Sequence, residues 1–192
     1  MHFHPLTVQS RTPSPLGDLR LAASPQGLAG VWFEDQRHFP CQLDGATAWP
    51  HNASHPVLQA AALQLQQYFA GTRTHFELPL DTSGGTAFQQ MVWQALLGLA
   101  HGSVTTYGAL AEQLGRANAV RAVGAAVGRN PLSLVVPCHR VLGAGRRLTG
   151  YAGGLERKAR LLALEGAAFS ADALARTPKA VQASLNAENL AP

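Results

Sequence analysis

Residues 107–128, YGALAEQLGRANAVRAVGAAVG, decide the fold class. Two short helices are written in this stretch. From Tyr107 to Leu114 the apolar residues Leu110 and Leu114 share one face, and Gly115 closes the segment. Asn118 is placed to cap a second helix running to about Gly128, with Val120, Val123 and Val127 turned inward. Short helices joined by a tight Gly-containing turn form a helix-turn-helix pattern. Ordinary helical packing produces the same pattern, so alone it leaves DNA binding open. Arg121 falls off the apolar stripe of the second helix. Ala122, Ala125 and Gly128 around it are small enough to let that helix lie close to a flat partner.

Upstream, Thr86 precedes Gln89 by three residues, a capping-box spacing. Phe88, Met91, Val92, Ala95, Leu96 and Leu99 then recur at spacings of three and four, so the sequence predicts an amphipathic helix ended by Gly102. Downstream of Pro131, Leu132–Val136 reads as a buried strand stopping at Pro137, with Cys138-His139-Arg140 immediately after it. Leu155 to Glu165 reads as a last helix. Toward the N-terminus, Leu19–Ala22 and Leu28–Phe33 are apolar runs bounded by Gly and Pro, a hairpin pattern. Residues 41–56 read as a loop, and Val57–Phe69 as a helix stopped at Gly71. Ser83-Gly84-Gly85 marks a boundary. The expected fold class is α+β: a small N-terminal α/β subdomain over residues 1–85, then a mainly helical domain over 86–166 carrying the helix-turn-helix and Cys138. Residues 167–192 form an Ala-rich tail to which the sequence assigns no fixed order.

The chain has 192 residues, 46% hydrophobic and 14% charged, which suffices for a buried core and excludes a charge-rich disordered protein. No stretch approaches the roughly 18 apolar residues of a membrane span, and Met1-His2-Phe3-His4-Pro5 lacks the features of a signal peptide. Cys41 and Cys138 form no CxxC pair, which argues against a disulfide framework or a zinc finger. A cytoplasmic protein with a free thiol is expected, nucleoid-associated if the source is bacterial. Charge is unevenly distributed. Residues 1–85 carry four arginines against six acids, whereas residues 86–166 carry nine basic residues against three acids. Between Gln113 and Leu155 there are six arginines and no acid. Such a segment suits a polyanion, and a planar guanidinium suits bidentate phosphate or base-edge contact.

A cysteine that follows an apolar run is commonly a small buried hydrophobe. His139 and Arg140 set Cys138 apart, because lowering a thiol pKa takes a base or a positive charge nearby. Neighbouring side chains on an extended chain point opposite ways, so joining Cys138 to His139 needs a turn or a bridging water. No histidine has zinc-ligand spacing, and no metal site is expected.

Pro137-Cys138-His139-Arg140-Val141 resembles the signature of the O6-alkylguanine-DNA alkyltransferases, the methylated-DNA–protein-cysteine methyltransferases. The resemblance extends, in family order, through Phe88-x3-Val92-Trp93-x-Ala95-Leu96 and Thr106-Tyr107-Gly108-x-Leu110-Ala111. It continues through Arg121-Ala122-Val123-Gly124, Asn130-Pro131, Gly150-Tyr151-x-Gly153-Gly154 and Leu161-Leu162-x2-Glu165-Gly166. It covers roughly residues 86–166, with a weaker likeness over residues 14–33.

That resemblance implies a DNA-repair activity in which Cys138 takes an alkyl group from guanine O6 or thymine O4, once per molecule and without a cofactor. It further implies that Glu165 and His139 remove the thiol proton through a water, that Asn130 orients the turn, and that Tyr107 protonates the leaving base. Val141, Tyr151, Ala152 and Gly153 would form the base pocket. Arg121, with Ala122, Ala125 and Tyr107, would engage the minor groove of double-stranded DNA and replace the extruded nucleotide, since the reacting atom is unreachable inside a stacked duplex. A monomer with no membrane partner is expected.

Some positions depart from the family pattern: Ala100-His101-Gly102, Arg146, Arg160 and Leu164, which bear on loop rigidity and DNA affinity. Three rivals compete with this reading. Alkyltransferase-like damage binders replace the cysteine, a helix-turn-helix regulator has no use for Cys138, His139 and Glu165 together, and a cysteine hydrolase does not call for a minor-groove helix.

Overall fold

The computed structural model describes residues 1–170, and residues 171–192, most of the expected tail, lie outside the described residues. Three antiparallel strands, β1 (Val8–Thr12), β2 (Leu19–Ser24) and β3 (Gly27–Phe33), form a sheet in the order β1-β2-β3. The hairpin pattern accounts for β2 and β3. β1 escapes the sequence reading because Val8-Gln9-Ser10-Arg11-Thr12 has little apolar alternation, and its pairing with β2 supplies the strand instead. Helix α1 (Pro56–Phe69), with proline in its first turn, lays Leu58, Ala61 and Leu65 against Leu19, Leu21, Leu28 and Phe33. Trp32 and Ala22 belong to a separate small cluster with Leu43 and Trp49.

The second half contains α2 (Ala87–Leu97), β4 (Thr105–Thr106), α3 (Tyr107–Gln113), α4 (Val120–Gly128), β5 (Val141–Leu142) and α5 (Leu155–Leu164). Both reciprocal bonds of the Thr86/Gln89 capping box form. Trp93 donates its indole N–H to the Ala126 carbonyl at 2.9 Å, which joins α2 to α4. The fold is α+β, as expected, and one core cluster takes side chains from both halves of the chain.

Local reading errs at four places. Helix α2 ends at Gly98 rather than Gly102, because the chain turns there to feed β4, which pairs in parallel with β5. Asn118 lies inside a 3-10 turn, Ala117–Ala119, and does not cap α4. That turn rotates Val120 outward to 37% exposure, while Val123 and Val127 remain inside. Leu132–Val136 is buried but is not a strand. Its backbone meets the edge of β3 at one point only, Val31 N to Pro131 O at 2.9 Å and Ser133 N to Val31 O at 3.0 Å. Prolines at 131 and 137 remove two donors, and the Asn130 side chain closes the segment into a compact turn instead. Leu134 accordingly takes a left-handed φ of 73°.

Candidate active site

Cys138 opens a 3-10 turn, Cys138–Arg140, directly after Pro137, and is 5% exposed. The turn follows from the strap before it. Asn130 Nδ2 donates to Val136 O at 2.8 Å and to Leu132 O at 3.4 Å, and also to Cys138 Sγ at 3.1 Å. One amide therefore shapes the loop and touches the sulfur.

His139 and Arg140 do not face the thiol. Both turn toward Glu165, the residue that ends α5. His139 Nε2 lies 2.9 Å from Glu165 Oε1. Arg140 donates from Nε to Oε2 at 2.8 Å and from Nη2 to Oε1 at 2.7 Å, a bidentate fork. Arg140 Nη1 holds the Leu99 carbonyl at 2.6 Å. Burial pushes the Glu165 carboxyl upward, but the His139 and Arg140 donors outweigh it and hold the pKa well below the usual carboxylate range. Burial lowers the His139 pKa against the pull of Glu165, so the imidazole is neutral. With a carboxylate at Nε2, the tautomer assigned from the network carries its proton there. The Nδ1 lone pair is left buried without a partner among the described residues. This orphaned acceptor is the atom available to a bridging water.

The expectation that His139 and Arg140 lower the thiol pKa is corrected. Burial pushes the Cys138 thiol up, and the Asn130 hydrogen bond and the Lys158 charge offset this only in part. The guanidinium that sequence adjacency offered to the sulfur is already committed to Glu165. In its resting state the site therefore pairs a neutral thiol with a neutral imidazole.

A cavity of about 150 Å³ opens over the thiol, lined by Arg37, His38, Tyr107, Gly124, Val127, Gly128, Cys138, Gly150, Tyr151 and Ala152. Tyr107, at the first position of α3, donates its hydroxyl to Gly150 O at 3.3 Å. Burial, with the nearby Cys138, raises this phenol to about 12, so it keeps its proton at neutral pH. Val141 and Gly153 lie behind the cavity wall rather than on it. Val141 is fully buried and its carbonyl is taken by Lys158. A Cβ on Gly153 would meet the Tyr151 ring at 2.8 Å and Phe33 at 3.0 Å, so this glycine lets the pocket wall pack on β3. Arg121, Ala122 and Ala125 are exposed on α4, whose Gly124, Val127 and Gly128 face the cavity.

Several site residues escape the sequence reading. Lys158 is fully buried, and its ammonium donates to Val141 O at 2.5 Å, Thr149 O at 2.5 Å and Gly150 O at 3.0 Å. Burial lowers its pKa to about 8. The available signal is its place on the apolar face of α5, between Leu155 and Leu162. Arg37 and His38 reach the cavity from the loop after β3, held there by Arg37 N to Ala152 O at 3.0 Å. Tyr68 donates to Glu165 Oε1 at 2.8 Å from α1. No short-range pattern links these positions to the cysteine.

Residues 8–82 match the family model described as the ribonuclease-like domain of 6-O-methylguanine DNA methyltransferase, and residues 87–167 match its DNA-binding domain. A methylated-DNA–protein-cysteine methyltransferase of Mycolicibacterium paratuberculosis is 46% identical over 152 residues, covering 79% of this chain and 88% of the relative. One of Haemophilus influenzae is 43% identical over 154 residues, covering 80% and 83%. The O6-methylguanine methyltransferase of Mycobacterium tuberculosis superposes with a TM-score of 0.74 at 42% identity, covering 86% of this chain and 96% of that one. A crystal structure of the Mycobacterium tuberculosis protein in complex with DNA gives 0.72 at 41% identity, over 83% and 92% of the two chains. The buried cysteine, the hydrogen-bonded His139 and Glu165 beside it and the matches to both domain models lead to one conclusion: the chain belongs to the methylated-DNA–protein-cysteine methyltransferase family.

Proposed function

We propose that the protein binds DNA and repairs it by direct reversal, moving an alkyl group from O6-alkylguanine, and from O4-alkylthymine, onto Cys138. The observation that carries this reading is a buried thiol at a cavity of about 150 Å³, backed by a neutral imidazole whose Nδ1 has no partner among the described residues. The sulfur attacks the alkyl carbon in line, the C–S bond forms as the C–O bond breaks, and the thiol proton passes through a water to His139 Nδ1. Glu165 stabilises the imidazolium that results. Tyr107, still protonated at neutral pH, supplies the proton that the departing purine anion needs. Tyr151 and Ala152 border the base, while Val141 and Gly153 hold that wall from behind.

For DNA, α4 is the minor-groove element. Arg121 fills the gap left by the extruded nucleotide, and Ala122 and Ala125 allow close approach. Cavity, proton relay and α4 all belong to one chain, which supports action as a monomer. Among the described residues no helix is long and apolar enough to cross a membrane.

A thioether has no route back to a thiol here, so transfer should stop at one group per molecule. Intact-mass analysis after incubation with duplex O6-methylguanine DNA should show a single added methyl, and peptide mapping should place it on Cys138. Cys138→Ala should abolish transfer and retain DNA binding, while Cys41→Ser, at an exposed thiol, should leave both intact. Product beyond one equivalent, or an unmodified protein that only binds, would refute the reading. Because phosphate neutralisation releases counterions, DNA affinity should fall steeply between dilute and physiological salt. An affinity flat in salt would remove the arginine-rich 113–155 segment from the DNA interface.

A further inference from the structure

We propose that Tyr68, on α1 of the N-terminal half, is a positioning residue for alkyl transfer: its hydroxyl fixes Glu165 and so sets the orientation and basicity of His139. This rests on the relay reading above.

Three donors converge on one carboxylate oxygen. Glu165 Oε1 accepts from Tyr68 at 2.8 Å, from His139 Nε2 at 2.9 Å and from Arg140 Nη2 at 2.7 Å. The second oxygen takes Arg140 Nε at 2.8 Å and the Gly102 amide at 3.4 Å. A carboxylate oxygen offers about two lone-pair directions, so donors on Oε1 compete, and each weakens the hold of the others. Removing one strengthens the rest. Tyr68 is thus placed to moderate how strongly Glu165 attracts the His139 proton.

The phenol is also rigidly held. It is 1% exposed, with Phe69, Phe76 and His101 rings at 5.4, 5.5 and 6.3 Å. Its helix is anchored on the sheet through Leu58, Ala61 and Leu65. The N-terminal half therefore reaches 97 residues along the chain to the relay carboxylate.

Other charged and titratable groups face these two side chains. Glu165, Arg140 and Lys158 act on His139, which follows Cys138 directly. Glu165, Arg140 and Tyr151 act on Tyr68, whose ring also meets His101. Tyr68→Phe leaves all of these in place and deletes a single donor.

The test is single-turnover transfer from a free O6-alkylguanine base as a function of pH, with thermal melting in parallel. With one competitor gone, Glu165 binds the His139 N–H more tightly and favours the imidazolium. Tyr68→Phe should therefore move the acid limb of the profile to higher pH by roughly half to one pH unit, the scale of one charged hydrogen bond shared among several. Duplex affinity and the one-group end point should stay unchanged. Phe69→Leu, which disturbs the same ring cluster without touching Glu165, should lower the melting temperature and leave the limb in place. A Tyr68→Phe protein with the wild-type limb, whatever its melting temperature, overturns the proposal. Glu165→Gln in the same assay separates the two failures. If it alters the profile and Tyr68→Phe does not, only the Tyr68 role falls; if neither does, the relay falls with it.

Discussion

Glu165→Gln should slow alkyl transfer by about 10²–10³-fold, equally for duplex DNA and for a free O6-alkylguanine base, the range expected when general-base assistance is lost. The resting site pairs a thiol raised by burial with a histidine lowered by burial, so the reaction needs the proton to move as the sulfur attacks. An amide at position 165 gives the imidazolium no counter-charge, and the transfer loses its electrostatic support whatever the substrate. The same pairing fixes the wild-type pH profile. Burial holds the thiol protonated above its ordinary titration range and the imidazole neutral below its own, so the rate should be flat across a window spanning neutral pH. Below that window it should fall as His139 takes up a proton.

Stability must be followed in the same experiment. Glu165→Gln strands the Arg140 guanidinium in the interior, and breaking a buried pair from one side costs on the order of 3–5 kcal/mol. Rates are therefore compared well below the lowered unfolding midpoint. The linkage sign agrees with this picture. Because the folded-state pKa of Glu165 is depressed, its stabilisation is present above the unfolded carboxyl pKa and is lost as pH falls through the folded value. Wild-type transfer rates from a well-folded Glu165→Gln protein would eliminate the relay.

Arg121→Ala should produce the opposite pattern, slow on duplex and near normal on free base. The side chain is exposed on α4, forms no ion pair among the described residues, and belongs to the helix whose Gly124, Val127 and Gly128 face the cavity. Extruding a nucleotide costs a few kcal/mol. A wedge that recovers about 1.4–2.8 kcal/mol of this changes the duplex rate about 10- to 100-fold. A base that arrives unstacked has no such cost. Single-turnover kinetics on both substrates decide it, since equal slowing would assign Arg121 to the chemistry or the fold.

Much of this molecule is legible along the chain, because the information is local. The 3.6-residue period places α1, α2, α3 and α5 within a few residues, and Thr86 with Gln89 marks the start of α2. The alternation between glycines and prolines marks β2 and β3. The ordered motifs around Cys138 are enough to suggest the family. Local pattern fails where the deciding partner is distant. Leu132–Val136 has the apolar content of a strand, yet it lacks a continuous edge to pair with and has an asparagine that completes its hydrogen bonds another way.

The sequence by itself determined which residue types were available: a cysteine, a histidine, a glutamate and an arginine-rich half. Tertiary structure alone decided what each of them does electrostatically. Sequence adjacency offers Arg140 to Cys138, but folding turns it onto Glu165 and leaves the thiol with a raised pKa. Tyr68, Arg37 and His38 reach the site through α1 and the loop after β3, and Lys158 reaches it as a cation buried on an apolar helix face. The physical reason is that charge interactions and desolvation act through space. Their sign and size depend on which groups the fold brings within a few ångströms and how much water it removes, neither of which is encoded in neighbouring positions.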